Sequence, residues 1–144
     1  MVNKVFRTPV ELKNYLQVLC DKAIQDTAEE AKKQLTKCID EQYYKDPGFY
    51  PNIYERTKAF LNSAACQLIT SGKAEIYIDG DGMHYRNGFS PWQVIEWSSE
   101  SKHGADYYQT STPDFWSTYI EWCDDHLINL LKSNLRKVGL SIKE

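Results

Sequence analysis

Apolar positions in the first third of the chain recur in steps of three and four: Leu12, Leu16, Leu19, Ala23, Thr27, Ala31, Leu35, Cys38 and Gln42. That spacing traces one face of an α-helix, with only Thr27 and Gln42 weak members of the stripe. Tyr15, Ile24, Ala28, Ile39 and Tyr43 widen it, while Asp21, Lys22, Glu29, Glu30, Lys32, Lys33 and Lys37 fall mostly off it and are expected in solvent. The start is punctuated by Thr8-Pro9-Val10-Glu11. Thr8 caps the first turn, Pro9 takes the first helical position without losing a needed N–H, and Glu11 reaches back. Asp46-Pro47-Gly48 is the expected stop. A helix of roughly 36 residues would be ~54 Å long, more than the diameter of a compact domain of this size. It must bend, or carry part of its stripe to another molecule.

The period then changes. Residues 49–57 form an aromatic connector, followed by strand-like runs over Ala64 to Thr70, Ala74 to Asp79 and Met83 to Arg86. Ser71-Gly72 and Asp79-Gly80-Asp81-Gly82 are the turns between them. Ile76 and Ile78 alternate with Glu75, Tyr77 and Asp79, which predicts one buried face. Ser90-Pro91 opens a short helix or turn bearing Trp92, Val94, Ile95 and Trp97, and a polar loop from Ser98 to Ser111 follows. A last helix is expected from Thr112-Pro113, with the stripe Trp116, Tyr119, Ile120, Cys123, Leu127, Leu130, Leu131, Leu135 and Val138 and a stop at Gly139. Trp122 falls away from the centre of that stripe and is the aromatic expected to be most exposed. The order predicts an α+β fold: a long N-terminal helix and a C-terminal helix packed on a small antiparallel β-meander, in one domain spanning 1–144.

Composition narrows the function. A chain of 144 residues with a net charge of −3 and no long basic run carries no nucleic-acid footprint. Met1 to Arg7 contains no apolar stretch after its charges, so no signal peptide is expected, and no run approaches a membrane span. The four cysteines, Cys20, Cys38, Cys66 and Cys123, form no CxxC pair. Cys20 and Cys38 would stand about 27 Å apart on one helix, too far to bridge. Free thiols in a reducing cytoplasm are therefore expected.

The chemistry-bearing residues form no convincing catalytic set. Asp79-Gly80-Asp81-Gly82 with His84 behind it has the look of a calcium loop, but the fifth position is Met83 and the twelfth Ser90, where an EF-hand needs oxygen donors. Between two strands the string reads better as a hairpin turn. A metal-binding module or metal-dependent enzyme using Asp79, Asp81 and His84 is the alternative. His103 and His126 have no partner at ligand spacing. There is no GxSxG and no glycine-rich phosphate loop. No cofactor is expected. The aromatics Trp92, Trp97, Trp116, Tyr119 and Trp122 are either core or a contact platform, and a small adaptor binding a peptide on Trp92 and Trp97 is a further reading.

Tyr50-Pro51-x-x-Tyr54-x-Arg56-Thr57, then Leu61-Asn62-Ser63, lies between the long helix and the meander. Glu96-Trp97, His103-Gly104 and Pro113-x-Phe115-Trp116 follow before the final helix. This pattern resembles the head–tail joining, or tail-completion, family of minor structural proteins of tailed phages and prophages from Gram-positive hosts. It covers roughly residues 8 to 140 in element order. The loop from Ser98 to Gly104 departs from it by carrying one glycine where the family is richer. The resemblance implies an α+β virion protein that is not an enzyme, made in the bacterial cytoplasm and built into the virion. It would join itself in a ring and meet other phage structural proteins, without nucleic acid or membrane. Tyr50, Tyr54, Arg56, Trp92, Trp97 and Trp122 are the candidate protein contacts. Arg56 is expected to anchor the connector, its planar fork holding backbone carbonyls or a carboxylate with tyrosine rings alongside. Truncating such an anchor leaves its partners unpaired, so Arg56→Ala should cost about 2–4 kcal/mol in denaturant unfolding. Wild-type midpoints for both Arg56→Ala and Arg56→Lys would move Arg56 to the partner contacts.

Overall fold

In a computed structural model, residues 4–44, 59–83, 90–99 and 114–143 are described. Helix α1 spans Pro9–Ile39 and continues as a π-helical turn over Asp40–Tyr44, the length expected of the periodic stripe. Thr8 Oγ1 accepts the Glu11 N–H at 3.2 Å. The Glu11 carboxylate reaches back to the Arg7 N–H at 2.8 Å, one residue beyond the cap. The Asp46-Pro47-Gly48 stop lies outside the described residues.

A 3-10 turn at Leu61–Ser63 leads into strand β1, Ala64–Thr70, which pairs antiparallel with β2, Lys73–Ile78. Cys66 stands opposite Ile76, and the register slips between Leu68 and Thr70 just before the turn. Gly72 makes that turn with φ +82, a conformation that favours glycine. Ile76 and Ile78 face the core as their alternation predicts. Among the described residues the sheet has two strands. Met83 is buried but lies in no strand, and residues 84–86 of the expected third strand are outside the described residues.

The hairpin tip is clasped to α1. Ser71 Oγ donates to Asp21 Oδ2 and the Gly72 N–H to Asp21 Oδ1, both at 2.7 Å, and Gln17 Nε2 donates to Ser71 Oγ. Asp21 was expected in solvent. It sits instead where a carboxylate can receive two donors from a tight turn, and in this exposed setting such bonds contribute about 0.5–1 kcal/mol each.

Helix α2 spans Pro91–Ser99, with Pro91 at its first position and the Ser90 N–H donating to Gln93 Oε1 at 3.3 Å. Helix α3 spans Phe115–Lys137. Its cap is Asp114, whose Oδ1 accepts the Ser117 N–H at 2.7 Å, two residues later than a start at Thr112-Pro113, which lies outside the described residues. An aspartate there caps well and complements the helix dipole. At the other end Leu140 N–H bonds Leu135 C=O and Gly139 N–H bonds Arg136 C=O, with Gly139 at φ +92, a Schellman stop.

The core gathers Leu35, Cys38, Ile39, Phe60, Met83, Phe115 and Tyr119. Phe60 and Phe115 meet edge to face with centroids 5.3 Å apart. Further along, Ala23, Ala28 and Ala31 are buried, and their small side chains let α3 and the hairpin approach α1 closely. Toward the N-terminus the stripe outruns its cover: Leu12 and Leu16 are 41% and 39% exposed. Across the α1–α3 seam Asn134, 2% exposed, donates through Nδ2 to Thr27 Oγ1 at 3.0 Å, with Glu30 Oε1 at 3.4 Å. Its Oδ1 accepts from Lys137 Nζ at 3.3 Å, and the Thr27 hydroxyl donates to the Ala23 carbonyl at 2.7 Å. This seam yields a prediction. Asn134→Ala should cost about 1–3 kcal/mol because Thr27 is left buried beside a hole. Asn134→Leu combined with Thr27→Val should recover most of the loss. Urea unfolding midpoints decide it, and a wild-type midpoint for Asn134→Ala would remove the seam's polar bridge from the stability of the fold.

Candidate functional site

Of the candidate contacts, Tyr50, Tyr54 and Arg56 lie outside the described residues. Trp92 stands 55% exposed on α2 with its indole over buried Gly80, so close that a Cβ there would come within 2.8 Å of Trp92 Cε2 and Cζ2. Any larger residue there would oblige the exposed Trp92 ring to move aside. Trp97, on the same helix, is half-buried.

Trp122 is not the exposed aromatic of α3. It is half-buried and packs against the core, while Trp116 and Ile120 are 40% and 42% exposed. The reason is rotation. Phe115, one residue before Trp116, enters the core and turns the buried face toward Tyr119 and Asn134. Trp122 lies parallel to Tyr119 at 6.3 Å and to His126 at 5.4 Å, a three-ring ladder up the helix. His126 Nδ1 is 3.0 Å from the Trp122 carbonyl, the ordinary i,i+4 contact of a surface histidine.

This ladder borders an open groove between α1 and α3. Glu30, Lys33, Gln34 and Lys37 form one wall, and Trp122, His126, Asn129 and Leu130 the other. Its apolar floor and basic rim have the chemistry of a protein contact rather than of a small-molecule pocket.

The Asp79 string forms a turn: Asp79 Oδ1 accepts the Gly82 N–H at 3.2 Å and Met83 N–H bonds the Gly80 carbonyl at 3.2 Å. Asp81 is exposed, and His84 and His103 lie outside the described residues. Among the described residues no three His, Cys, Asp or Glu side chains are placed to hold a metal ion, and no helix is long and apolar enough to cross a membrane.

All four cysteines are free. Burial pushes the Cys38 and Cys123 thiols above their ordinary range. Cys66 is pushed up by burial first and then by its hydrogen bond to Glu29 Oε1 at 3.3 Å. Glu29 is held below its usual range, chiefly by Lys32 at 2.9 Å and then by the Cys66 thiol. Thiols kept protonated in this way are poor nucleophiles. The Tyr119 hydroxyl is buried with no oxygen or nitrogen partner among the described residues; only the Cys123 thiol, a weak acceptor, lies beside it. Burial above all, then Cys123, drives this phenol far above its ordinary range.

Sequence reasoning missed the Asp21 clasp and the Asn134 bridge. Asn134 falls at stripe spacing after Tyr119, Cys123, Leu127 and Leu130, so its position was legible though its polarity hid it.

The geometry defines an α+β protein with a groove between α1 and α3, lined by Lys33, Lys37 and Trp122, and an N-terminal helix end whose apolar Leu12 and Leu16 are exposed. The model of the YomN family matches residues 9–137, the first residue of α1 to the last of α3, and the chain belongs to that family. YomN is a family of SPbeta-like prophage proteins, which supports a phage origin. No curated protein and no solved structure matches the chain.

The orphan phenol generates a prediction. Tyr119 and the raised thiols stay protonated in the fold, whereas the unfolded chain ionises them from about pH 9 to about pH 10 upward. Their share of stability is present below that range and is lost as pH rises through it. Tyr119→Phe should unfold within about 0.5 kcal/mol of wild type at neutral pH, since only a weak contact with the Cys123 thiol is lost. It should also lose less stability between about pH 8 and about pH 11. Denaturant melts across that range test both arms, and a variant as alkali-sensitive as wild type would show that Tyr119 is not the group responsible.

Proposed function

We propose that the protein is a structural component of a phage or prophage virion, acting at the head–tail junction or in the tail by assembling with itself and with other virion proteins. The observation that carries this reading is the YomN match along the whole helical frame, from Pro9 to Lys137. The Tyr50-Pro51…Tyr54-x-Arg56-Thr57 string supports the narrower role through its resemblance to head–tail joining proteins. Two physical features suit it. The apolar stripe of α1 continues past the elements that cover it, and uncovered apolar positions of this kind mark contact surfaces. The groove beside Trp122 offers an apolar floor within a charged rim, the anatomy of a protein interface. The protein acts by binding, is made in the host cytoplasm and ends in the virion.

Deletion of the gene from an inducible prophage is the direct test. Loss of the protein should lower infectious titre by orders of magnitude, leaving filled heads and separate tails in electron micrographs, with restoration by a copy supplied in trans. Mass spectrometry of purified wild-type particles should detect the chain. Fully infectious, normally joined particles from the deletion strain would overturn the reading.

A further inference from the structure

Two surfaces of opposite character flank α3. The first is the groove, whose floor is Trp122 and Leu130 and whose α1 rim carries Lys33 and Lys37. Lys37 reaches Glu41 only at 3.9 Å, and Lys33 enters no ion pair among the described residues. Glu30 lines the same groove, but the Asn134 amide draws its carboxylate toward the seam. The second surface is the outward ridge of α3. Glu121, Asp124 and Asp125 are all exposed there in the two turns before Ile128, which is 68% exposed, and half-buried Lys132 follows one turn after it. Residues 121, 124, 125 and 128 share one helix face by their three- and four-residue spacing. Among the described residues no ion pair engages these three carboxylates. An isoleucine held this far out in solvent beside three acids contributes little to the packing of the described residues.

We infer that the ridge of one copy docks in the groove of the next. Ile128 lies against Trp122 and Leu130, while Asp124 and Asp125 face Lys33 and Lys37. The occupant is a second copy because this chain itself presents the complement of its own groove: an apolar knob for the floor and carboxylates for the lysines. The two faces differ, so the contact is head-to-tail, and its repetition closes a ring or runs on as a filament. The inference rests on the assembly reading above and supplies the surface it needs. Attraction between partly exposed charges of this kind is screened by salt.

Sedimentation velocity of the full chain over a concentration series at low and high salt tests it. Wild type should self-associate, less so at high salt. Lys33→Glu with Lys37→Glu, and separately Asp124→Lys with Asp125→Lys, should each weaken association by about tenfold or more. An equimolar mixture of the two charge-reversed proteins should associate again, as should the quadruple variant. Ile128→Glu should weaken association as well. All these positions are solvent-facing or on the groove rim, and circular dichroism would confirm that the variants fold. Wild type that stays monomeric throughout overturns the inference. So do reversed variants that associate like wild type, and a mixture that fails to recover, which would point to a different acidic partner. A monomeric chain would leave the virion reading standing, and a virion without the protein would leave a measured self-association standing.

Discussion

A helix as long as α1 does not hold itself straight in water by its own hydrogen bonds; isolated helices are marginal, and tertiary cover of one face makes them stable. That cover is fullest from Ala23 to Ile39, where Ala23, Thr27, Ala28, Ala31, Leu35, Cys38 and Ile39 are buried. The hairpin, α3 and the core aromatics are all laid against this stretch. Small residues in its first half set how near the neighbours come. Leu35 and Ile39 in its second half fill the space opened by Phe60 and Phe115.

Apolar packing alone would let α3 and the hairpin slide along such a stripe. Two polar sites prevent it. Asp21 accepts the Ser71 hydroxyl and the Gly72 N–H and so fixes where the turn lies. Asn134 meets Thr27 and Glu30 and so fixes the height of α3. At Asn134 a buried amide with the wrong neighbour is costly, so a one-turn shift of α3 is penalised more than the native register is rewarded; the solvent-exposed bonds at Asp21 add direction to the turn. Polar positions within and beside the apolar stripe therefore define the arrangement that the apolar positions stabilise.

That division explains what was legible in the chain. Element order, the cap at Thr8, the α1 stripe, the Ser71-Gly72 turn, the Ile76/Ile78 face and the Gly139 stop follow from local rules of period, capping and turn chemistry. The departures arise where distant residues decide. Asp21 looks solvent-facing until the hairpin tip arrives. The buried face of α3 depends on whether Phe115 or Trp116 enters the core, a choice made by Phe60 from another part of the chain. Helix α3 starts after Asp114, where the carboxylate accepts the Ser117 N–H, although Thr112 two residues earlier is also a competent cap by local rules. Of the candidate contacts, Trp92 and Trp122 were flagged as aromatics, but their settings, one over Gly80 and one inside a ring ladder, are products of packing.

The same rotation of α3 shapes what the molecule offers to others. Had Trp116 and Ile120 turned inward, Trp122 would have swung out and the groove would have lost its floor. With Phe115 inside, Trp122 rests between Tyr119 and His126 at the groove's edge, and the Glu121, Asp124, Asp125 and Ile128 face turns to solvent. One aromatic choice at the first turn of α3 thus sets the core, the groove and the ridge together. A change at Phe115 would be felt at the surface as well as in stability, because a rigid helix carries any rotation at its first turn along its whole length.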